Sequence, residues 1–597
     1  MFKKTLRLAR AYDEVWGDAR PAARRGILLS TLAGLLEGSA LLALIPLINL
    51  LANPASASAY LPAVFGEAPS PAALLIVSIS LFLVLGISYA VSYSASQNAF
   101  TRAEFKIVQN LIERATRALF SAPWPAFLSL RAGELEKAVL LESQRIAFGA
   151  RQLISAISYG CVALLMFLLC ALLSPAMTLA TISIAAIGTL LYFRLGVSLQ
   201  SKTSALKHHE NELAERLGEV FQNFKFFRLW DSGGRIEGML VEHIERYSGL
   251  HIDVHRELNR VRMLAECSVV LVLSIFLLLA FFVLRLDPGT MLVFLAIFYR
   301  LAPRLLAMNS LLVASEVELR FLGDWNARML RLAPQGLPRR AEPASSNAAP
   351  LAGDLVVNGL SALAPGGTKE ILSNVSFTLP KGGTIAIIGE SGAGKTSLMD
   401  ALCGLLPLSS GSVSVNGTQL SDEGLKAWVR DAAVVLQQTP VLSGTILENV
   451  AWDDATPSLA RAKDAAREAH ALAFIEKLPQ RWETPIGRGN NGLSGGEVQR
   501  LGLTRALYRE SELIFLDEPT SSLDTEAEDA VIKALSALKG KRTLLLITHR
   551  LKAARIADSI IVLRDGKVAE QGTWAELAGK EGGILAGLAA RQGVLVS

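Results

Sequence analysis

The placement of the apolar residues constrains this chain more than any other feature. A helix needs about 20 apolar residues to cross the hydrocarbon core of a bilayer. Runs of that length occur only in the first half of the 597-residue sequence. Six read out, at about 26–52, 71–96, 151–173, 175–196, 265–286 and 288–313. Only Ser174-Pro175 separates the third from the fourth, which reads as a tight hairpin. Charged residues make up 19% of the chain, below the roughly 25% of ordinary soluble domains. Hydrophobic residues at 51% exclude a disordered chain.

The basic residues orient these spans. Segment 53–70 and the 174–175 turn carry no Lys or Arg, whereas 97–151 carries eight and 197–263 carries ten. Basic loops stay on the cytoplasmic side. The rule therefore expects both long loops, the N-terminus and everything after the sixth span to be cytoplasmic, in a multi-pass protein of the inner (plasma) membrane. The net charge of +5 is too small to point to a nucleic-acid partner. The first 26 residues are basic (Lys3, Lys4, Arg7, Arg10, Arg20, Arg24, Arg25) and lack the apolar core of a signal peptide. Cys161, Cys170, Cys267 and Cys403 form no CxxC pair, so they read as buried free thiols.

Asn98–Leu119 and His208–Leu264 keep a helical periodicity, so the spans are expected to continue as helices into the cytoplasm. Residues 333–350 are rich in Ala, Pro and Ser and read as a linker. Beyond it short β-rich runs alternate with helices: Gly383–Ile388, Ala432–Leu436, Leu513–Leu516, Thr543–Ile547 and Ser559–Leu563. That alternation predicts an α/β domain with a mainly parallel sheet. The expected organisation is a cytoplasmic segment 1–25, an all-α six-helix transmembrane domain 26–332 with long cytoplasmic extensions, the linker, and an α/β domain 351–597.

The α/β half carries phosphate chemistry. Gly389-Glu390-Ser391-Gly392-Ala393-Gly394-Lys395-Thr396 matches GxxxxGK[ST], after the strand Thr384–Ile388 and before a helix expected near Ser397. The glycines let backbone N–H groups curl around phosphates, and Lys395 reaches the outer ones. Thr396 offers a hydroxyl to Mg2+, and the helix N-terminus adds positive potential. Gly389, Ser391, Gly392, Gly394, Lys395, Thr396 and Ser397 are therefore the candidate ATP contacts. Some 120 residues later, Leu513-Ile514-Phe515-Leu516 ends in Asp517, placed to hold Mg2+, and Glu518, placed to polarise the attacking water.

Leu493-Ser494-Gly495-Gly496-Glu497 resembles the signature of ATP-binding cassette proteins. The phosphate loop, Gln437, Ser494, Asp517, Glu518, Asp524 and His549 follow that family's order. The likeness covers roughly 351–590. Six spans followed by one cassette resemble, over the whole chain, a half-transporter of the exporter class, a P-loop NTPase fused to its membrane domain. The resemblance implies that Gln437 touches Mg2+ and the water, with Gln438 as the alternative. It implies that Ser494, Gly495 and Gly496 contact the γ-phosphate held by a second chain. Asp524 would lie in a loop crossing the dimer, and His549 would orient the γ-phosphate. One signature and one phosphate loop per chain then require a dimer. A homodimer is the simplest form, and a heterodimer is the alternative.

Three positions depart from the family pattern. Ala364 stands where an aromatic usually stacks on adenine, and 351–376 contains no Tyr, Phe or Trp. The signature ends in Glu497 instead of Gln. Arg488 stands where an acid is expected, which bears on contact with the membrane domain. Candidate docking segments are 136–146 and 218–230. Polar residues inside spans read as functional by default. Glu37, Arg300 and Arg304 are candidates for substrate contact, the arginines for an anionic group, with structural ion pairing as the alternative. The leading expectation is an ATP-driven exporter or lipid flippase, its substrate being a lipid-linked glycan, a lipid, a peptide or another amphiphile. The alternatives are an exporter-fold importer and a slow ATPase that regulates a channel.

Overall fold

The computed structural model describes residues 2–52, 71–175 (except 129 and 131), 212–230, 234–282, 288–333, 353–364, 369–487, 492–521 and 525–592, with 178–179, 206, 209–210, 367 and 523. The outer segment 53–70, Arg488, Ser522 and Asp524 lie outside the described residues, as does nearly all of the fourth expected span and of the linker. Two compact units emerge: Met1–Thr116 with Gly133–Met329, and Arg117–Ala132 with Leu330–Ser597.

The first unit is helical. Its main helices are Arg20–Leu42, Pro71–Ser121, Ser143–Leu173, Arg235–Phe282 and Pro288–Leu332. The second has 51 residues, or about 75 Å at 1.5 Å per residue. That far exceeds the ~30 Å hydrocarbon core, so its apolar run is one part of a longer helix. Among the described residues four helices are long and apolar enough to cross a membrane: Asp13–Ile48, Leu75–Ser121, Glu134–Leu172 and Pro288–Leu332. The fifth expected span is represented by a shorter apolar stretch, Glu266–Ile275.

Small residues set the helix packing. Gly26, Ser30, Gly34 and Gly38 recur every four residues on one buried face of Arg20–Leu42. A Cβ on Gly26 would lie 2.5 Å from the Phe100 ring, on Gly34 2.6 Å from Val162, and on Gly38 2.4 Å from Leu169. The Ser158 hydroxyl donates to the Ser30 hydroxyl at 2.5 Å along the same face. Inside lipid, where helices gain no hydrophobic drive to associate, such close approach is what holds them together. In the extensions, ions and rings take over. Arg151 pairs with Glu104 at 2.7 Å, Arg328 pairs with buried Glu142, and the Arg114 guanidinium lies 5.2 Å from the buried Trp325 ring. Lys137–Glu142 forms a π-helical turn, with the Ser143 hydroxyl donating to the Ala138 carbonyl five residues back.

The second unit contains the α/β domain. Its strands are β1 Leu355–Leu363, β2 Glu370–Leu379, β3 Thr384–Ile388, β4 Leu408–Val415, β5 Thr418–Gln419, β6 Ala433–Val435, β7 Gly444–Thr445, β8 Pro485–Ile486, β9 Leu513–Asp517, β10 Thr543–Ile547, β11 Ser559–Arg564 and β12 Lys567–Gly572. The larger sheet runs β12-β11-β3-β10-β9-β6, parallel except for β12. Its central strands β3 and β10 are buried at every position. This matches the continuous apolar runs expected of parallel strands covered on both faces. All five strands expected from sequence lie here. A second, antiparallel sheet, β2-β1-β4-β5, was not anticipated. Helix Lys395–Leu402 begins two residues before the expected Ser397. The thiols also differ from expectation: Cys170 is buried, Cys161 and Cys403 are half-buried, and Cys267 is exposed.

Candidate active site

The parallel strands end together, and the candidate chemistry lies at their carboxyl ends. β3 delivers the phosphate loop. Gly389 faces the backbone of β11, and a Cβ there would sit 2.5 Å from the Leu563 carbonyl oxygen. Gly394 caps the following helix with φ +99, a conformation glycine adopts without strain. The loop is braced from outside. Asp565 (φ 48) and Gly566 (φ 75) make the hairpin between β11 and β12, as the residue pair Asp-Gly favours. Gly566 N–H donates to the Ala393 carbonyl at 3.1 Å.

Lys395 is buried, and its Nζ donates to the Gly389 carbonyl (2.9 Å) and the Glu390 carbonyl (3.0 Å). A cavity of about 620 Å³ opens beside it, lined by Gly392, Lys395, Thr396, Gln437, Glu518 and His549 among others. Ser391, Gly394 and Ser397 also line it.

Glu518 is the centre of the site. The Gln437 side-chain amide donates to Glu518 Oε2 at 2.9 Å, and His549 Nδ1 lies 3.2 Å from the same oxygen. Of the two glutamines weighed from sequence, Gln437 makes this contact. Glu518 has φ +46, rare and costly for a non-glycine residue. The strain is held by its N–H bonded to the Ile547 carbonyl at 2.8 Å and by its carbonyl accepting from Ser521 N–H at 3.1 Å. Backbone strain at a carboxylate flanked by two polar side chains marks a group positioned for chemistry.

Asp517, at the end of β9, is buried, and its Oδ1 has no hydrogen-bond partner. Burial, reinforced by Glu518 and Asp400 and opposed by Lys395, pushes its carboxyl up to about 6. Burial likewise raises Asp400 and pushes the Cys403 thiol up to about 12. An unpaired, desolvated carboxylate oxygen beside a lined anion cavity suits a divalent cation, which would supply the missing positive charge. Among the described residues no three His, Cys, Asp or Glu cluster as a self-sufficient metal site. A cation here would therefore draw on Asp517, the Thr396 hydroxyl, Gln437 and phosphate oxygens, the hard-oxygen set that Mg2+ takes with a nucleotide.

The signature lies elsewhere on the unit. Ser494, Gly495 and Gly496 do not line the cavity of their own chain. Ser494 caps the helix Gly495–Tyr508, and a capping box ties its side chain and N–H to Glu497. Glu or Gln serves equally at that position of a capping box, which gives Glu497 a structural reason. Gly496 lets this helix meet its neighbour, since a Cβ there would lie 3.0 Å from Ala527 Cβ.

Sequence reasoning missed two positioning arginines. Arg550, beside His549, bonds Glu528 at 2.7 Å and the carbonyls of Ser521 (3.1 Å) and Leu523 (3.3 Å), holding the loop after Glu518. Arg505 bonds the Asn449 carbonyl at 2.7 Å and the Pro440 carbonyl at 3.0 Å, fastening the loop after Gln437 to the signature helix. Neither lies in a motif, so no spacing betrays it. Lys369, Glu370, Ile371, Asp565 and Gly566 also line the cavity. No Tyr, Phe or Trp is among the lining residues. Ala364 donates its N–H to the Lys369 carbonyl at 2.8 Å and adds only a methyl group there.

In the helical unit the structure brings Glu37, Arg300 and Arg304 together. Glu37 Oε2 accepts from Arg304 at 2.5 Å, and Oε1 lies 3.3 Å from Arg300. The expected docking segment 218–230 contains the helix Phe224–Trp230, on which Phe224, Phe226, Leu229 and Trp230 are exposed.

Comparisons with known proteins agree with this geometry. The ABC transporter transmembrane region family model matches residues 27–301, and the ABC transporter family model matches 372–521. The ATP-dependent lipid A-core flippase of Desulfotalea psychrophila is 40% identical over 216 residues, 36% of this chain and 38% of that protein. The flippase of Vibrio cholerae is 37% identical over 231 residues, 38% of this chain and 40% of that protein. That of Haemophilus influenzae strain Rd is 38% identical over 237 residues, 39% of this chain and 40% of that protein. The chain thus matches about two-fifths of the length of these relatives. Among solved structures, a bacterial Atm1-family ABC exporter with ATP bound superposes with a TM-score of 0.75 at 22% identity, covering 96% of this chain and 99% of that one.

Proposed function

The chain belongs to the ABC transporter family, with both the membrane region and the cassette in one polypeptide, and from that membership we propose that it is an ATP-driven exporter or lipid flippase. The observation that carries this reading is Glu518, held between Gln437 and His549 beside the phosphate-loop cavity. In this reading ATP binds along Gly389–Ser397, with Lys395 turning from the loop carbonyls to the outer phosphates. Thr396, Gln437 and Asp517 would hold Mg2+, which would supply charge neutralisation for phosphoryl transfer. Glu518 accepts the proton of the water that attacks the γ-phosphorus, and His549 orients the γ-phosphate.

A second chain completes the site. Each chain has one cavity and one signature, and the signature does not line its own cavity. A partner's Ser494, Gly495 and Gly496 would close over the γ-phosphate, with Asp524 in the loop that crosses between chains. A homodimer suffices, because each chain carries both halves of the chemistry. The exposed aromatic helix Phe224–Trp230 and the segment 136–146 are the proposed receivers of cassette motion. The membrane is the inner membrane, with the N-terminus and cassette in the cytoplasm. A regulator hydrolysing ATP slowly has no need of a complete and strained Glu518 site, which favours the transporter over that alternative.

The test is transport in proteoliposomes with outward-facing cassettes. ATP-dependent movement of an amphiphile away from the cassette side, absent with Glu518→Gln, is the expected result. Movement toward the cassette side would make the protein an importer. Hydrolysis without movement of any amphiphile would end the transporter reading.

A further inference from the structure

A lone ion pair that only fastens two helices is one acid to one base. The cluster inside the helical unit is one acid to two. Glu37 lies on Arg20–Leu42, and Arg300 and Arg304 lie one turn apart on Pro288–Leu332. Among the described residues, the ion pairs of both arginines end on Glu37. The Glu37 side chain is 6% exposed and that of Arg304 17%, whereas Arg300 is 55% exposed. On the same helix as the arginines, Phe294, Ile297 and Leu301 are buried in the apolar packing between helices. Excess positive charge beside such packing favours an anion that meets it.

The donors are in surplus as well. Two guanidiniums present ten N–H groups, and one carboxylate has two oxygens to receive them. Arg304 Nη1 is buried without a hydrogen-bond partner. The hydroxyls nearby are those of Tyr89, Tyr93 and Tyr159. Tyr89 interacts electrostatically with Glu37, Arg304 and Arg300, and the Tyr159 and Tyr93 hydroxyls are hydrogen-bonded. These phenols add donors and bring no negative charge.

We propose that Arg300 and Arg304, with Tyr89 alongside, form a subsite for the anionic headgroup (phosphate or carboxylate) of the transported amphiphile, and that Glu37 occupies the guanidiniums until that headgroup arrives. The proposal rests on the transporter reading above. A phosphate monoester brings three oxygens and up to two charges, and it can take the fork of each arginine. Its arrival replaces one internal carboxylate by a better-matched anion and corrects the charge excess. The half-exposed Arg300 is the point of first contact, and buried Arg304 the point of capture.

The experiment uses the full-length protein in proteoliposomes with three lipids of identical acyl chains: phosphatidic acid, phosphatidylcholine and diacylglycerol. ATPase stimulation and ATP-dependent lipid movement are both followed. Phosphatidic acid should stimulate at a half-maximal concentration about tenfold below that of diacylglycerol, the factor expected from one added charge-assisted bond. Arg300→Gln and Arg304→Gln should each erase most of that preference. Glu37→Gln should lower the half-maximal concentration for phosphatidic acid, because it frees the arginines. A merely structural ion pair predicts the opposite sign, since losing either partner would then weaken the response.

Glycerol 3-phosphate, a soluble phosphate monoester without acyl chains, separates the sources. Competition with phosphatidic acid shows that the anion alone is recognised, and no competition shows that the lipid-borne headgroup is required; both keep the subsite. Equal half-maximal concentrations for phosphatidic acid and diacylglycerol would overturn it, as would a Glu37→Gln variant weakened as much as Arg304→Gln. If diacylglycerol moves as readily as phosphatidic acid, only the headgroup site falls. If no lipid or other amphiphile moves while ATP is hydrolysed, the transporter reading falls with it.

Discussion

Glu37 and Glu518 are the same residue in opposite surroundings. Glu37 is buried among helices and faces two guanidiniums, so positive charge exceeds it. Glu518 stands at the wall of a solvated cavity and meets one neutral amide and one imidazole. The first environment sets two cations against one carboxylate and leaves them wanting an anion. The second keeps one oxygen face available and holds the backbone in a strained turn. In the proposed reading, charge compensation therefore divides the two halves into a binding site and a catalytic one.

The same isosteric change at the two positions is the sharpest way to break that contrast. Glu518→Gln should lower the steady-state ATPase rate by about 10³-fold, in the range set by removing a general base. The variant should still retain nucleotide, as measured by filtration of labelled ATP. Glu37→Gln should alter the lipid dependence instead. If Glu518→Gln left turnover near normal, the comparison would fail at its catalytic side. Lys395→Ala comes next. It removes the ammonium that reaches the outer phosphates, and ATP should bind about 100-fold more weakly, the loss expected for a charged hydrogen-bond donor of two to three kcal/mol. Titration with a fluorescent nucleotide reads it directly.

The two regions also differed in how much of them the sequence revealed. The strands carrying the site were legible because Thr384–Ile388, Leu513–Asp517 and Thr543–Ile547 are continuous apolar runs, the mark of strands covered on both faces. The antiparallel sheet was not, because β1 and β4 interleave Ser and Asn with Val and Leu and bulge where they pair. Motif residues could be named because phosphate binding demands a fixed spacing. Arg505 and Arg550 could not, because an arginine that bonds distant carbonyls leaves no local pattern. In the helical unit, Glu37 and the arginines are separated by more than 260 positions. Sequence flagged each of them as polar in an apolar span, and pairing was one of two open readings. Only the packed helices show both arginines on one carboxylate.

Asp517 sharpens the comparison on the cassette side. Its folded value of about 6 stands above the ordinary 3.8. A raised carboxylate favours its protonated form, so the nucleotide-free protein loses stability as pH rises from about 4 to about 6, and the deficit is complete by pH 7. Two units correspond to about 3 kcal/mol. Asp517→Asn should therefore raise the melting temperature of the nucleotide-free protein at pH 7, by a margin that shrinks toward pH 4, while ATP turnover is lost. Scanning calorimetry at the two pH values checks the sign. An equal gain at both would show that burial of the charge is not the cause.

The smallest expected effect lies beside Lys369, on the lining of the ATP cavity. There the nucleotide site resembles neither glutamate cluster, because it offers a base no ring to stack on and only Ala364 beside the Lys369 carbonyl. Affinity must then come from the phosphates, and selection among bases should be weak. Stacking on one aromatic side chain contributes about 1–3 kcal/mol per base. Ala364→Tyr should tighten ATP binding about tenfold while leaving inorganic triphosphate binding unchanged, and the gain should be larger for ATP than for CTP, whose ring is smaller. If the variant tightened triphosphate equally, the added ring would be acting on the loop and not on the base. If wild-type protein already bound ATP tenfold more tightly than CTP, Lys369, Glu370 or Asp565 would be reading the base by hydrogen bonds in place of the missing ring.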